Sequence, residues 1–446
     1  MADGLSPELR GGVTHVVGAG MAGLSAALCL AEAGRRVVVW ESAGHAGGRV
    51  RSFHDAALDR LIDNGSHLIL TGNHGVQRFL ARAGSSDGLV AAAEASFPMV
   101  DLAAQGPGQR FTIRLDPGRL QRWIFDPARR IPGTGPLDLL GGWRLALARP
   151  GTTVAEAIRD RGPAWRGFWE PLTLGILNTT PEKGAAQLLW RVMAETFLKG
   201  AGPSRPMFAP AGLGAALVEP AVRTLIRHGV DLRLNTRIKG IERADGRAIA
   251  IATGQETVAI GAEDSVIIAL PPSRLTRLMP EIDAPADDAA ILNAHFRVAD
   301  RAALEHAAPL TGLLGTLGQW IFVREDVVSV TVSAAHETGI LDLPRGETAA
   351  RLWREVAAAL RLEGEPVASR IIVEKRATFD QSPSGVARRP ALVTSMANVH
   401  LAGDATQTGL PATIEGAMRS GEAAASVVLS RDGKCDAKRR VTTARA

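Results

Sequence analysis

The segment Thr14–Arg49 constrains the fold of this chain more than any other stretch. Gly18, Gly20 and Gly23 form a G-x-G-x-x-G pattern directly after a short apolar run. An alanine- and leucine-rich helical pattern follows, and a second apolar run ends at Glu41. A strand, a tight turn, a helix and a second strand in this order form the βαβ unit that binds dinucleotides in parallel sheets. We therefore predict an α/β fold with a dinucleotide site, against the alternative that the glycines serve helix packing alone.

Each residue of the glycine pattern has a physical task in such a unit. Gly18 permits the tight turn. Gly20 lets the backbone approach a pyrophosphate closely, because a side chain at this position would collide with it. Gly23 lets the helix pack closely against the strand. The helix begins at Met21 and Ala22, where unpaired N–H groups and a partial positive charge favour phosphate binding. We expect these five positions to contact the cofactor.

The residues after the second strand indicate which dinucleotide is bound. Glu41, followed by Ser42, ends the strand where a carboxylate can accept hydrogen bonds from both hydroxyls of a ribose. Gly47 and Gly48 then suit a loop that passes close to the cofactor, with the guanidinium of Arg49 near the phosphates. This stretch resembles that of FAD proteins of the glutathione-reductase and amine-oxidase type. FAD is therefore the expected cofactor, and an exposed surface turn is the alternative.

A D-N-G-S-H sequence lies between two apolar stretches at residues 63–67. Gly65, followed by Ser66, would let the backbone turn close to a flat ring system, and His67 would then face a flavin or a substrate. Isolated histidines are more often structural than catalytic, so both interpretations of His67 stay open at this point.

The segment from Val399 onwards repeats the order of strand, loop and helix. Its strand ends at Gly403 and Asp404, and a carboxylate there can bind the ribityl chain of a flavin. A small-residue helix begins near Thr413, after Pro411 and Ala412, and its N–H groups would stabilise negative charge on a reduced flavin. Earlier in the chain, Ile238 follows a predicted strand at residues 230–234 and is expected to pack against the adenine.

Changes of pattern along the chain predict two discontinuous domains. The nucleotide-binding domain should comprise residues 1–75, 208–285 and 390–430. A substrate-binding α+β domain should comprise a mainly helical insertion at 76–207 and a sheet with helices at 286–389, and 431–446 should be a basic flexible tail. In the second insertion, valines alternate with serine and threonine over residues 328–333, which is typical of a strand with one face exposed. Residues 165–178 are either ordinary core or the wall of an apolar channel.

Composition excludes several classes of protein. The chain is 46% hydrophobic and 22% charged, as in ordinary globular proteins. Six of the sixteen terminal residues are basic and two are acidic, so the tail carries most of the net charge of +5. The nearly neutral body offers no basis for nucleic-acid binding. The tail is either a solvated terminus or a contact for anionic lipid. The two cysteines, Cys29 and Cys435, form neither a disulfide framework nor a metal site.

No signal peptide and no bilayer-length apolar run is visible in the sequence. We therefore expect a cytoplasmic protein, with peripheral contact at the inner membrane surface if its substrate is a lipid.

The two ends of the chain together resemble the FAD-dependent amine-oxidase and phytoene-desaturase superfamily, and within it the hydroxysqualene dehydroxylase family. Five motifs carry the resemblance: G-A-G-M-A-G-L-S-A-A at 18–27, G-G-R at 47–49, D-N-G-S-H at 63–67, L-N-T-T-P at 177–181 and T-G-L-P-A-T-I-E-G-A-M-R-S-G at 408–421. The resemblance implies a Rossmann-like FAD-binding domain of the GR2 type. It also implies reductive removal of the hydroxyl group of hydroxysqualene, a hydrophobic isoprenoid on the hopanoid route, to give squalene and water. His67 and Glu415 are then the candidate proton donors, although Glu415 would equally serve as a helix cap.

Three other interpretations compete with this one. A phytoene-type desaturase would remove hydride from an isoprenoid instead of donating it, and the sequence does not fix this direction. Amine oxidases usually flank the flavin with an aromatic cage rich in tyrosine, whereas this chain has no tyrosine. Prenyl-lipid carriers share the fold but would not need Glu41, Arg49 and Asp404 together. One departure from the family concerns the flavin site: Ala405 stands where members usually carry tryptophan, which predicts an altered pocket.

Overall fold

The computed structural model describes residues 10–103, 108–159 and 161–443, with side chains for 11–103, 108–159 and 161–431. The strands, in chain order, are β1 (Arg10–Val17), β2 (Arg35–Trp40), β3 (Ser52–Asp55), β4 (Arg60–Asp63), β5 (Ile69–Leu70), β6 (Val90–Ala91), β7 (Ser96–Asp101), β8 (Gln109–Arg114), β9 (Pro206–Phe208), β10 (Asp231–Arg233), β11 (Gly240–Ala244), β12 (Arg247–Ala252), β13 (Thr257–Ala259), β14 (Ser265–Ile268), β15 (Ala289–Arg297), β16 (Leu310–Leu314), β17 (Trp320–Arg324), β18 (Val327–Val332), β19 (Ala368–Thr378) and β20 (Val399–Leu401).

The α-helices are α1 (Met21–Glu32), α2 (His74–Ala83), α3 (Pro136–Leu140), α4 (Trp143–Ala146), α5 (Val154–Ala157), α6 (Glu170–Leu177), α7 (Ala186–Glu195), α8 (Ala201–Ser204), α9 (Glu219–Arg227), α10 (Pro272–Leu278), α11 (Arg345–Leu360), α12 (Pro383–Ala387) and α13 (Ile414–Thr443). Shorter helical turns include Arg122–Phe125, Trp165–Trp169 and Gly214–Val218.

A five-stranded parallel sheet forms the nucleotide-binding domain, with the strand order β10-β2-β1-β14-β20. These strands are apolar because helices cover the sheet: α1 packs against α13, α2 and α9 in one large apolar core. Parallel strands buried on both faces read as continuous apolar runs, as β14 does. The predicted α/β class and the βαβ unit are therefore confirmed, and so are the strands at 230–234 and 266–270.

A seven-stranded mixed sheet, in the order β19-β15-β18-β17-β16-β7-β8, dominates the second domain. Helix α11 covers one face, where Leu352, Trp353 and Val356 pack against the valines of β18. The prediction that β18 exposes one face to solvent is wrong, because all its residues are buried. Its Thr331 instead lines an internal cavity, and Ser333 just beyond the strand does so as well. Polar side chains that alternate with valines along a strand can therefore face an internal cavity as well as the solvent.

The predicted boundary of the 76–207 insertion differs from the structure at its first end. Helix α2 packs in the core of the nucleotide-binding domain together with α1 and α13, so this domain continues past residue 75 to about β6. The insertion contains more helix than strand, and its strands β7 and β8 form an edge of the seven-stranded sheet. The segment between β8 and β9 is helical, as expected.

Helix α13 continues to Thr443, so most of the basic terminal segment extends this helix. Whether that extension is flexible, as the sequence suggests, stays a prediction. Among the helices within the described ranges, none is both long enough and apolar enough to cross a bilayer.

Candidate active site

The glycine turn has the geometry that a dinucleotide requires. Gly18 adopts a φ of +104°, and a Cβ atom on Gly23 would lie 1.9 Å from the carbonyl oxygen of Gly18. Gly23 therefore sets the close packing of α1 on β1, as predicted. A Cβ on Gly20 would meet nothing within 4 Å. The space beside Gly20 is open at the N-terminus of α1, where Met21 and Ala22 begin the helix.

The second glycine pair lies directly beside this turn. Gly47 forms a bridge to Gly20, and its amide donates to the carbonyl oxygen of Ala19 over 2.8 Å. A Cβ on Gly48 would approach the Cα of Gly20 to 3.2 Å, and both Gly47 and Gly48 have positive φ angles. The two loops thus border one open space with bare backbone on both sides. Such a cradle fits a pyrophosphate.

The acidic residue at the end of β2 fixes the same loops. One carboxylate oxygen of Glu41 accepts from the amide of Ala19 and the other from the amide of Ala43, both over 2.8 Å. The oxygen bonded to Ala43 also accepts from the hydroxyl of Ser42 over 3.3 Å. The oxygen bonded to Ala19 retains a further acceptor site, so a ribose contact is still open to Glu41. Ser42 is exposed, and Ile238 packs in the apolar cluster around the neighbouring strands. Their predicted contacts with adenosine stay predictions.

The structure gives Arg49 partners other than those expected from the sequence. Its guanidinium donates to both carboxylate oxygens of Asp404 over 2.8 Å and to the carbonyl oxygen of Ala377 over 2.5 Å. Arg49 therefore joins the first and last segments of the nucleotide-binding domain to β19, and it lines the cavity described below. Asp404 is buried and ion-paired, so any contact of this carboxylate with a ribityl chain would be made alongside Arg49.

Sequence reasoning missed Arg389 and Gln381, which hold the loop before α13. Buried Arg389 donates to the carbonyl oxygens of Asp404, Thr406 and Leu410, the first and last over 2.9 and 2.8 Å. Burial lowers the pKa of Arg389 to about 10. Gln381 accepts from the amide of Ala412 over 2.9 Å. Neither residue belongs to a motif, so no local signal could have indicated this role.

A large cavity lies between the two domains, and its empty space amounts to ≈ 1970 Å³ including the part open to solvent. Residues from both domains form its walls. The predicted cofactor positions among them are Arg49, Gly65, Ser66, Ala412 and Thr413. Of the remaining predicted positions, Gly403 donates from its amide to Ser420 over 2.8 Å, and Pro411 precedes the lining residue Ala412. The cavity is therefore continuous with the loop that leads into α13.

The cavity walls divide into an apolar and a polar side. Most of the apolar side comes from the insertion between β6 and β9, and the sheet strands β15 and β17 add Ile291, Trp320 and Phe322 to the apolar lining. The residues from the insertion include Phe97, Met99, Phe168, Leu172, Ile176 and Phe197. The 165–178 stretch thus serves both roles weighed for it, because Trp165 and Trp169 are core while Phe168 and Leu172 face the cavity. Most of the polar side comes from the seven-stranded sheet and from the end of α6, and includes Asn178, Asn293, Thr331, Ser333, Glu374 and Thr378.

Asn178, in the L-N-T-T-P motif, joins three elements of the polar side. It adopts a φ of +50° at the end of α6. Its side chain accepts from the amide of Ala334 over 2.7 Å and donates to the hydroxyl of Thr378 over 3.0 Å. Asn178 therefore fixes the junction of α6 with the strands that form the polar wall.

Gly65 allows a close contact different from the one expected. A Cβ there would lie 2.8 Å from the side-chain nitrogen Nδ2 of Asn293 in β15. The glycine thus lets the D-N-G-S-H loop lie against the sheet. This contact alone explains a glycine at position 65, without a flat ring beside it. The loop thereby turns His67 to the cavity, where its side chain is open to the interior space. Burial within the cavity lowers the pKa of His67, and Asp63 opposes this shift.

Glu415 lines the same cavity but has a structural task. Its two carboxylate oxygens accept from the amides of Gly75 and Val76, each over 2.9 Å. These amides belong to the first turn of α2, so Glu415 caps a helix distant in sequence. Burial raises the pKa of Glu415, and the two amides oppose this shift. The two amides favour the ionised form of Glu415, which suits its role as a cap. The predicted roles of His67 and Glu415 as proton donors stay predictions.

Ala405 is buried and is not one of the residues that form the cavity walls. The expectation that it alters the pocket is therefore not supported by a direct contact.

Comparisons with known proteins agree with this geometry. A family model described as flavin-containing amine oxidoreductase matches residues 21–429. A hydroxysqualene dehydroxylase of Sinorhizobium fredii is 40% identical over 93% of this chain and 98% of its own length. One from Zymomonas mobilis is 37% identical over 94% and 99%. A 15-cis-phytoene desaturase of Solanum lycopersicum is 21% identical over 93% of this chain and 77% of its own.

Solved structures show the same fold at low sequence identity. Cyclohexylamine oxidase from Brevibacterium oxydans has a TM-score of 0.71 at 15% identity, covering 95% of this chain and 99% of that chain. A putrescine oxidase has a TM-score of 0.66 at 16% identity, covering 95% and 100%. The family match and the relatives of similar length agree on one assignment. The chain belongs to the flavin-containing amine oxidoreductases and, within them, to the hydroxysqualene dehydroxylase family.

Proposed function

We propose that this protein is an FAD-dependent oxidoreductase that converts hydroxysqualene to squalene and water. The observation that carries the proposal is the divided cavity, in a chain 37–40% identical over nearly its whole length to hydroxysqualene dehydroxylases. A C30 hydrocarbon with one hydroxyl group needs a long apolar wall and a small polar region. The cavity provides both.

The reaction breaks one C–O bond and forms one C–H bond. Reduced FAD supplies the hydride when bound, and a proton on the departing oxygen completes the water. An allylic alcohol ionises more readily once its oxygen is protonated, and the carbon then accepts hydride. Water in the site would recapture the cation, so the site must be dry. The aromatic and aliphatic side of the cavity excludes water from the reacting carbon.

The residues of this chain have distinct tasks in that reaction. The glycine cradle and the N-terminus of α1 would hold the pyrophosphate, and the Arg49–Asp404 pair and the loop held by Arg389 would shape the flavin end. His67 gives the proton to the hydroxyl oxygen, since it faces the cavity and its lowered pKa makes its protonated form a stronger acid. Asn178, Asn293 and Thr331 supply hydrogen bonds that orient the hydroxyl group.

The proposal includes a cellular setting. We place the protein in the cytoplasm, in peripheral contact with the inner membrane, because its substrate dissolves in lipid and not in water. No role in nucleic-acid binding is proposed, and the oligomeric state is left open.

The decisive experiment is an anaerobic single turnover. The bound flavin is reduced, hydroxysqualene is added, and flavin reoxidation is followed together with squalene formation by mass spectrometry. We expect one squalene for each flavin reoxidised. His67→Gln should retain bound FAD and its reduction but slow the reoxidation by roughly 10²–10⁴-fold, the usual contribution of a general acid.

Two results would contradict the proposal. Reduced flavin that is not reoxidised by hydroxysqualene would exclude the dehydroxylase, and the oxidised protein should then be offered phytoene-like polyenes to test desaturation. Normal reoxidation in His67→Gln would leave the reaction intact but remove His67 from it. His54→Gln serves as the matched control, because it makes the same change at an exposed histidine that is not part of the cavity wall.

A further inference from the structure

The segment between residues 116 and 150 presents an unusual surface. Its exposed large apolar side chains are between 43% and 80% accessible to solvent and comprise Leu120, Phe125, Leu137, Leu140, Trp143 and Leu147. Exposed arginines lie among them at positions 119, 122, 144 and 149. We call these ten residues the apolar–basic surface. Large apolar side chains gathered in this way mark a site of interaction with another body.

These residues belong to one packed substructure. Helix α3 lies against the turn Arg122–Phe125, and α4 lies against α7. The opposite faces of α3 and α4 bury Leu139 and Leu145 in the core of the second domain. The short helices therefore bury one apolar side in the core and expose further large apolar side chains on the other.

Only a thin layer of protein separates this substructure from the cavity. The indole N–H of Trp169 points to the carbonyl oxygen of Asp138 in α3 over 3.4 Å, and a Cβ on Gly142 would lie 2.6 Å from the same indole ring. Phe168, the residue before Trp169, lines the cavity. The apolar–basic surface thus covers the apolar side of the cavity from outside.

The charge of the segment is one-sided. It contains six arginines and three aspartates but neither lysine nor glutamate. Asp116 pairs with Arg129 over 2.8 Å, and Asp138 accepts from the amide of Gly135 over 2.6 Å. Of the three aspartates only Asp126 is exposed, against four exposed arginines. The surface therefore combines apolar tips with an excess of positive charge.

From these observations we propose that the apolar–basic surface docks on a bilayer that contains anionic lipid, with its leucines, Phe125 and Trp143 inserted among the acyl chains near the headgroups. Aromatic and aliphatic tips flanked by arginines are the pattern of proteins that lie in the interface of a membrane. A second copy of the chain fits less well, because a twofold dimer would place the arginines of both copies against each other. The docking itself does not depend on the proposed function. Only its purpose, the admission of a lipid-soluble substrate, rests on that function.

Binding to vesicles tests the proposal without any substrate. The full-length holoprotein is floated with vesicles of phosphatidylcholine alone or mixed with phosphatidylglycerol. We expect binding to the mixed vesicles that weakens with salt, since surface charges are screened. The double variant Leu137→Glu/Leu147→Glu should bind at least about tenfold less. Arg144→Gln/Arg149→Gln should bind roughly 25-fold less, from about fivefold for each arginine.

Control variants test whether the binding depends on the apolar–basic surface in particular. Ile226→Glu/Val367→Glu replaces two apolar side chains elsewhere that are also more than half exposed, and this variant should bind as the unmodified protein does. Removal of residues 432–446 tests the basic tail and should leave most of the binding. Flavin absorbance and circular dichroism of each variant show whether it is folded.

Three outcomes would overturn the proposal. These are the absence of binding to the mixed vesicles, unchanged binding of Leu137→Glu/Leu147→Glu, and binding that disappears only when the tail is removed. A dimer that dissociates in Leu137→Glu/Leu147→Glu would assign the surface to a second copy instead. None of these results depends on turnover, so failure of the docking and failure of the dehydroxylase reaction are distinguishable.

Discussion

Two glycines of one motif should respond to the same substitution in opposite ways. A methyl group on Gly23 would lie 1.9 Å from the carbonyl oxygen and 3.0 Å from the carbonyl carbon of Gly18, and these are backbone atoms that cannot rotate away. Gly23→Ala must therefore push α1 off β1, at a cost of about 1–3 kcal/mol or more, as for other overpacked cores.

Gly20→Ala meets no such obstacle. Gly20 has φ and ψ of −73° and −179°, which any residue adopts, and nothing lies within 4 Å of an added Cβ. The apoprotein should be unchanged or stabilised by about 0.4–1 kcal/mol, because alanine has less freedom in the unfolded chain. The methyl group would instead occupy the space beside the cradle. Losing one charge-assisted hydrogen bond to the pyrophosphate costs about 1.5–3 kcal/mol, so FAD affinity should fall roughly 10- to 150-fold.

The assay measures both properties on the same samples. Apoprotein is prepared by removing the flavin, its thermal unfolding is followed by circular dichroism, and FAD is then titrated back with flavin fluorescence as the readout. Gly23→Ala should lower the unfolding midpoint of the apoprotein, and Gly20→Ala should weaken FAD alone. If Gly20→Ala binds FAD with unchanged affinity, or destabilises the apoprotein as much as Gly23→Ala does, the open space beside Gly20 is not the pyrophosphate site.

Three further predictions concern ionisable groups. His400 is fully buried, and neither of its ring nitrogens has a hydrogen-bond partner. Burial lowers the pKa of His400 to about 4. Between pH 6.5 and 4 the unfolded chain therefore binds a proton at this histidine that the folded protein does not. Stability should thus fall on acidification, by about 2 kcal/mol at pH 5 from this group, and thermal unfolding should show a smaller loss between pH 7 and 5 in His400→Leu. Glu415→Gln leaves the amide of Gly75 or Val76 without an acceptor, so the free energy of unfolding should fall by about 1–3 kcal/mol. The folded fraction of this variant should retain turnover. If turnover is lost while the stability is unchanged, Glu415 is the proton donor. Because the pKa of His67 is lowered, single-turnover rates should rise as pH falls below its usual value of 6.5, and a pH profile that persists in His67→Gln would refute that role.

The sequence predicts the nucleotide-binding domain well because its constraints are local. Glycine spacing, the strand tips and the start of α13 follow from backbone sterics within a few residues, and β1, α1 and β2 occur where the motif places them. Strands β7 and β8 escaped prediction because Pro98 within the first of them and the surrounding alanine-rich sequence favour other structures. Their partners are far away in the sequence, since β7 pairs with β16.

The candidate site was predicted in its parts but not in its connections. His67 does face the cavity, yet nothing local in the sequence could show that Glu415 caps α2 or that Arg49 pairs with Asp404 across 355 residues. Arg389 was missed for the same reason, because a buried arginine that binds loop carbonyls has no sequence signature. Long-range polar contacts are made by the finished fold, so a single sequence does not display them.

The division of the cavity connects the proposed chemistry with the proposed docking. The polar side is built mainly from strands of a rigid sheet, which suits the positioning of a hydroxyl group and a proton donor. The apolar side is built mainly from β7, from α6 and from the helical turns beside it, and the neighbouring helices α3 and α4 carry Leu137 and Trp143 on the outer surface. A hydrocarbon that enters from a bilayer would therefore meet apolar side chains throughout its path, and only its hydroxyl group would reach His67. Leu137→Glu/Leu147→Glu should therefore slow the turnover of hydroxysqualene that is supplied in vesicles. Turnover of hydroxysqualene in detergent micelles should not change, because the substitutions leave the walls of the cavity unchanged.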